Sequence, residues 1–191
     1  MTSIVATRRS HAGVAVAGLL LLTVRADVAH HTGGAATPLL IGLFGMVALA
    51  GLVPPLPAPD AESDTDQPVD PVPVLLIGLI AFAAGRTIGG GHPLLPATTT
   101  AIGLNTLAAV AEEAFFRRLL FGLLLVRSGS AAAAIAGSAV LFAVIHVPVY
   151  GWWVVPIDLA AGLVLGWQRS ATGSWLVPAA SHAAANLLVV L

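Results

Sequence analysis

The stretch Ala111-Glu112-Glu113-Ala114-Phe115-Phe116-Arg117-Arg118 sets four ionisable side chains in the middle of a long apolar run. Charges at membrane depth cost about 3 kcal/mol each even on the lenient insertion scales, so each needs a partner or a task. The rest of the chain offers no soluble surface. Its residues are 58% hydrophobic and 9% charged, with a mean hydropathy of +0.95, which describes a polytopic membrane protein.

The eight basic residues are all arginines and the net charge is −1, so there is no basic patch for nucleic acid. The absence of cysteine excludes disulfides, thiolate metal sites and a cysteine nucleophile. Thr7-Arg8-Arg9-Ser10, with the apolar run beside it, resembles a twin-arginine or general signal peptide. The remaining chain is too apolar to be an exported soluble protein, so the segment reads as a first membrane span.

Crossing a bilayer core takes about 20 apolar residues. Runs approaching or exceeding that length cover residues 13–24, extending towards His30, then 38–53, 74–84, 96–126, 131–147, 152–167 and 175–191. The expected fold is an all-α polytopic membrane bundle of about seven transmembrane helices. Arg25, Asp27, His30, His31 and Gly33-Gly34 read as a loop, with Arg25 and Asp27 an interfacial pair. Pro54-Pro55-Leu56-Pro57-Ala58-Pro59, with Asp60, Glu62, Asp64, Asp66 and Asp70, reads as an extended solvent linker. His92, in Gly89-Gly90-Gly91-His92-Pro93, reads as a solvated turn residue. The 96–126 run has no internal proline after its first residue and predicts one helix of roughly 45 Å, longer than the bilayer core. Trp152-Trp153 and Trp167 read as interfacial anchors, and Gly162 and Gly166 as a packing face. An inside N-terminus puts Arg8, Arg9, Arg127 and Arg169 on the inner side, which favours that orientation. All-arginine basic usage beside an acidic loop suits a high-GC or salt-adapted organism, and the expected location is a prokaryotic cell membrane.

Glu113 and Arg117 are four apart, so about 40° separates them on a helix and they can pair. Glu112 lies about 140° from Arg117 and is left without a local partner, which makes it the carboxylate suited to proton transfer. Asn105, seven residues earlier, shares its face. His146 lies near the end of the fifth run, and His182 and Asn186 share one face of the seventh. At 1.5 Å per residue, Glu112 is about 22 Å from Arg127, His146 about 22 Å from Ala131 and His182 about 12 Å from Ser174. All three can therefore meet in one intramembrane polar cavity. The sequence carries no nucleophile elbow, no HExxH and no aspartate pair, Asp158 being alone within an apolar run. A glutamate, two histidines and an asparagine can instead activate water and polarise a carbonyl.

Glu112-Glu113-x-x-x-Arg117, Phe142-x-x-x-His146 and His182-x-x-x-Asn186, in this order on successive apolar runs, resemble the three motifs of the CPBP family of intramembrane endopeptidases. That family includes the CAAX prenyl proteases and the bacteriocin-processing, Abi-like bacterial proteins. The resemblance covers roughly residues 72–191. It implies that Glu112 activates water with help from His146, that His182 and Asn186 hold the oxyanion, and that Glu113 and Arg117 support them. Family naming also implies a metalloprotease, and Glu112, His146 and His182 could hold zinc with an open position. The metal-free mechanism is preferred, because Glu112 cannot easily be both ligand and base. The expected organisation is then N-terminal membrane spans over 1–56, an acidic proline-rich linker over 57–73 and a catalytic transmembrane core over 74–191. The expected partners are the lipid bilayer and a membrane-associated peptide or protein substrate. Two other readings use the same polar set: a non-catalytic scaffold or immunity-like protein, and a small transporter relaying protons through Glu112 and Asp158.

Overall fold

The computed structural model of the protein describes residues 2–31, 35–54, 68–88 and 98–190, with side chains between residues 10 and 188. The expected loop at Gly33-Gly34, most of the acidic linker (55–67) and the glycine turn with His92 lie outside the described residues. Among the described residues the fold is all-helical. α1 spans Thr2–His31, α2 Ala36–Gly51, α3 Pro71–Ile88, α4 Thr99–Glu113, α5 Phe121–Ser128, α6 Ala131–Val144, α7 Val147–Tyr150, α8 Val155–Thr172 and α9 Leu176–Val190. A π-helical turn, Ala114–Leu120, joins α4 to α5, and a 3-10 turn, Trp152–Val154, leads into α8.

Local chemistry explains most boundaries. Prolines stand in the first turn of α3, where their missing N–H groups are not needed. Thr98 and Ser130 cap α4 and α6 by accepting from Ala101 N (3.1 Å) and Ala133 N (3.3 Å). Pro148 has no N–H for the carbonyl of Val144, where α6 ends. His146 therefore sits in the turn between α6 and α7, just beyond the helix expected to carry it.

Two further expectations need correction. The 96–126 run does not form a single α-helix, because the π turn interrupts it at the charged stretch. Nor do Arg25 and Asp27 lie in a loop, since α1 continues through them to His31.

α1 packs on α2 and the π turn, α2 also on α4, α9 packs on α4, α3 and α8, and α8 packs on α6. Gly51 brings α2 against the backbone of the π turn, where an added Cβ would stand 2.3 Å from the Ala114 carbonyl carbon. Gly162 likewise brings α8 onto α6, an added Cβ lying 2.9 Å from Ala139 Cα. The glycine face expected on α8 is thus a packing face. Gln168 is fully buried and donates from Nε2 to Val74 O and Ser181 Oγ, both at 2.9 Å, tying α8 to α3 and α9. Apolar side chains such as Leu20, Leu49, Ile77 and Ile80 stay exposed on the outer helix faces. Among the described residues three helical stretches, Ser10–His31, Pro71–Ile88 and Ala131–Tyr150, are long and apolar enough to cross a membrane.

Candidate active site

The last turn of α4 delivers two carboxylates in succession. Glu113, fully buried, faces Arg117 and α9: its Oε2 lies 3.2 Å from Arg117 Nε and its Oε1 2.9 Å from His182 Nδ1. The arginine contact is held by charge rather than by an aligned hydrogen bond, since neither atom has a hydrogen-bond partner among the described residues. Arg117 is wholly buried, with its guanidinium 5.1 Å from the ring centre of Phe142 and 5.7 Å from that of Phe116. Those ring faces attract a cation that burial has stripped of water. The Glu113–Arg117 pair expected from the four-residue spacing is present, and it has a second duty, to hold His182.

Glu112 points the other way. Its Oε2 lies 3.8 Å from His146 Nε2 and 4.0 Å from His182 Nε2. Both separations are too long for a direct hydrogen bond. His146 is oriented by its Nδ1, 2.7 Å from Phe142 O, and stacks on Tyr150. Phe142 touches both histidine rings, which explains why the aromatic residue of the second motif belongs to the site.

The other oxygen of Glu112 is bonded by Arg25 Nη1 from α1. The interfacial place expected for Arg25 is therefore wrong; the residue is 7% exposed and its side chain enters the site. Charge balance is the signal that could have found it. Glu112 and Glu113 against Arg117 alone leave a net negative charge, which a buried cluster resolves with one more cation. Asp158, in sequence only an aspartate within an apolar run, also joins the group. Its Oδ2 stands 3.3 Å from His146 Nδ1 and has no hydrogen-bond partner among the described residues. Arg118 donates from Nη1 to Gly51 O and Val53 O, both at 2.7 Å, and so caps the C-terminal end of α2. Arg169 donates to the carbonyl of Arg117 at 3.0 Å, on the widened π turn; such turns are frequent at functional sites.

Not every expected residue joins the group. Asn186 donates through Nδ2 to Asn105 O at 3.1 Å, fastening α9 to α4 two turns away from Glu112. The Asn105 side chain donates to Ala101 O within its own helix and does not face the carboxylate, contrary to the shared-face expectation. Among the described residues no three His, Cys, Asp or Glu side chains stand as a metal-ligating group, and Glu112 already carries a guanidinium.

The exposed apolar flanks and this buried Glu/His/Arg centre define a membrane-embedded helical protein with an internal polar site. A family model described as type II CAAX prenyl endopeptidase Rce1-like matches residues 93–188, and the chain belongs to that family of membrane-embedded proteases. The match contains Glu112, Glu113, Arg117, His146, Asp158, His182 and Asn186, but not α1 with Arg25. No curated protein and no solved structure matches the chain.

Proposed function

We propose that the protein is an intramembrane endopeptidase that hydrolyses a peptide bond of a membrane-associated substrate with water activated by Glu112. The observation that carries this reading is Glu112 Oε2, set 3.8 and 4.0 Å from two histidine Nε2 atoms inside an apolar bundle. A water held by Oε2 beside His146 Nε2 gives its proton to Glu112 as its oxygen attacks the substrate carbonyl carbon. The carbonyl π pair moves to oxygen, where His182 stabilises it. The C–N bond then breaks, and the proton held by Glu112 passes to the leaving amine. Glu113 keeps His182 in place and balances Arg117. Asn186 fixes α9 against α4, and so sets the height of His182.

The mechanism runs without metal in this reading, with the guanidinium on Glu112 Oε1 supplying a fixed positive charge beside the carboxylate. The same reading places seven spans in a prokaryotic cell membrane with the N-terminus in the cytoplasm.

One observation favours the scaffold reading: Arg25 and Glu112 neutralise each other, as two purely structural residues would. Glu112→Gln decides between them. Purified in liposomes with a library of membrane peptides that includes a farnesylated peptide ending in a CAAX sequence, the wild type should cleave at least one peptide. The variant should be slower by about 10³-fold with its fold intact, the loss of a general base. Equal cleavage by the variant, or none by the wild type, overturns the proposal.

A further inference from the structure

Arg25 lies on the buried stripe of α1. Ala15, Leu22 and Ala26 are buried with it, at spacings of three, four and seven residues that put side chains on one helix face. Gly18, on the same stripe, sits against the Phe115 ring, where an added Cβ would collide. α1 therefore meets the π turn closely, about two helical turns before Arg25. The guanidinium directs Nη1 to Glu112 Oε1, while Nε and Nη2 have no hydrogen-bond partner among the described residues. The torsion that turns a glutamate carboxylate is soft and broad, so the helix backbone does not fix how its plane faces. With Oε1 held from α1, Oε2 is left 3.8 Å from His146 Nε2 and 4.0 Å from His182 Nε2. Released from that hold, a buried carboxylate would close on the imidazoles beside it to replace the lost donor. The oxygen that has to hold water would then be occupied.

We infer that Arg25 is a positioning residue for Glu112: by holding Oε1 from α1, it keeps Oε2 turned towards His146 and His182 as the oxygen that takes the proton. The inference rests on the hydrolytic reading above. It makes α1, which lies outside the family-matched residues 93–188, a working part of the active site. Arg25 acts through the carboxylate and not on the substrate. Its effect therefore belongs to the chemical step, where a displacement of about 1 Å can cost on the order of 10²-fold, and leaves substrate binding alone.

The test is a double-mutant cycle on the full chain in liposomes, with the peptide that the wild type cleaves. It compares wild type, Arg25→Gln, Arg25→Lys, Glu112→Gln and the double variant Arg25→Gln with Glu112→Gln. In Arg25→Gln, kcat should fall by about 30- to 100-fold with KM within about threefold, the cost of a misplaced base. Arg25→Lys should lose less, about three- to tenfold, because an ammonium keeps the charge and can make the single bond that Nη1 makes. Once Glu112 is glutamine, Arg25 has no base left to position, so the double variant should match the kcat of Glu112→Gln. Its unfolding midpoint should nevertheless rise above that of Glu112→Gln, since the buried cation left without its partner is gone. Wild-type kcat in Arg25→Gln overturns the inference. So does a rise in kcat, because Arg25 would then be restraining Glu112. A further loss in the double variant overturns it too, since Arg25 would then act on the substrate or on the fold. Should Arg25→Gln fail to assemble, the same cycle run with Arg25→Lys decides, its loss again having to vanish in the Glu112→Gln background. Wild-type activity in Glu112→Gln sinks the hydrolytic reading itself; a slow Glu112→Gln beside Arg25 variants that match the wild type sinks only the role of Arg25.

Discussion

His182 Nδ1 stands 2.9 Å from Glu113 Oε1, while the other oxygen of the same carboxylate lies 3.2 Å from Arg117 Nε. One side chain on α4 thus balances a buried cation and orients the imidazole of α9. The two duties can be separated. Glu113→Gln should destabilise the bundle by roughly 3–5 kcal/mol, the usual cost of stripping one partner from a buried ion pair. Adding Arg117→Met should return most of that stability, read as the unfolding midpoint in mixed micelles. Proteolysis should stay at least about tenfold low in the double variant, since His182 still lacks its anionic anchor. Full activity there would show that His182 needs no carboxylate.

Asp158→Asn removes the charge facing His146 Nδ1 at 3.3 Å without changing the shape of the side chain. The Phe142 carbonyl still accepts from that nitrogen, so the ring keeps its orientation. We expect kcat to fall by about tenfold with KM unchanged, far less than the roughly 10⁴-fold loss where an aspartate alone sets the tautomer. Steady-state kinetics on the liposome-bound enzyme reads the difference.

Much of the site is legible in the sequence because helical spacing is local. The four-residue spacing of Glu113 and Arg117, and the order of His146 and His182 along successive apolar runs, determine which side chains can converge. Arg25 is not legible in this way. Its partner is 87 positions away on another helix, and the apolar run that carries it fades just before it, so it looks like an interfacial residue. The π turn is equally hidden, since nothing in Ala114–Leu120 departs from good α-helix composition. Asn105 misleads for the opposite reason. A helical wheel gives the face of its Cβ, but the amide folds back to Ala101 O on its own helix.

Arg118 reaches across to the end of α2 and binds two carbonyls that the helix leaves open, Gly51 O and Val53 O. Arg118→Gln should lose about 1.5–3 kcal/mol, the range for hydrogen bonds made by a charged group. Because its two hydrogen bonds go to the end of α2, the folded fraction should keep wild-type kcat. Unfolding midpoint and active-fraction kinetics, measured on one preparation, check both halves.

Prolonged dialysis of the purified enzyme against a strong zinc chelator should leave kcat and KM unchanged if Arg25 supplies the charge beside Glu112. Loss of activity that returns on adding zinc would instead make Glu112, His146 and His182 ligands and displace Arg25 from its assigned place.

Gly51 and Gly42 offer a matched pair on one helix. At Gly51 an added Cβ would lie 2.3 Å from the Ala114 carbonyl carbon and 2.5 Å from both its oxygen and Phe115 N, all backbone atoms that cannot rotate away. At Gly42 it would meet nothing within 4 Å. Gly42→Ala should therefore be neutral or stabilising by up to about 1 kcal/mol through helix propensity alone. Gly51→Ala must push α2 off the π turn and should cost about 1–3 kcal/mol, as overpacking does. The displacement has a functional consequence, because α2 packs on α1 and α1 carries Arg25 to Glu112. Activity per folded molecule should consequently drop in Gly51→Ala and hold in Gly42→Ala. A Gly51→Ala enzyme that is less stable yet equally active would mean that Arg25 reaches Glu112 without help from the α1–α2 contact.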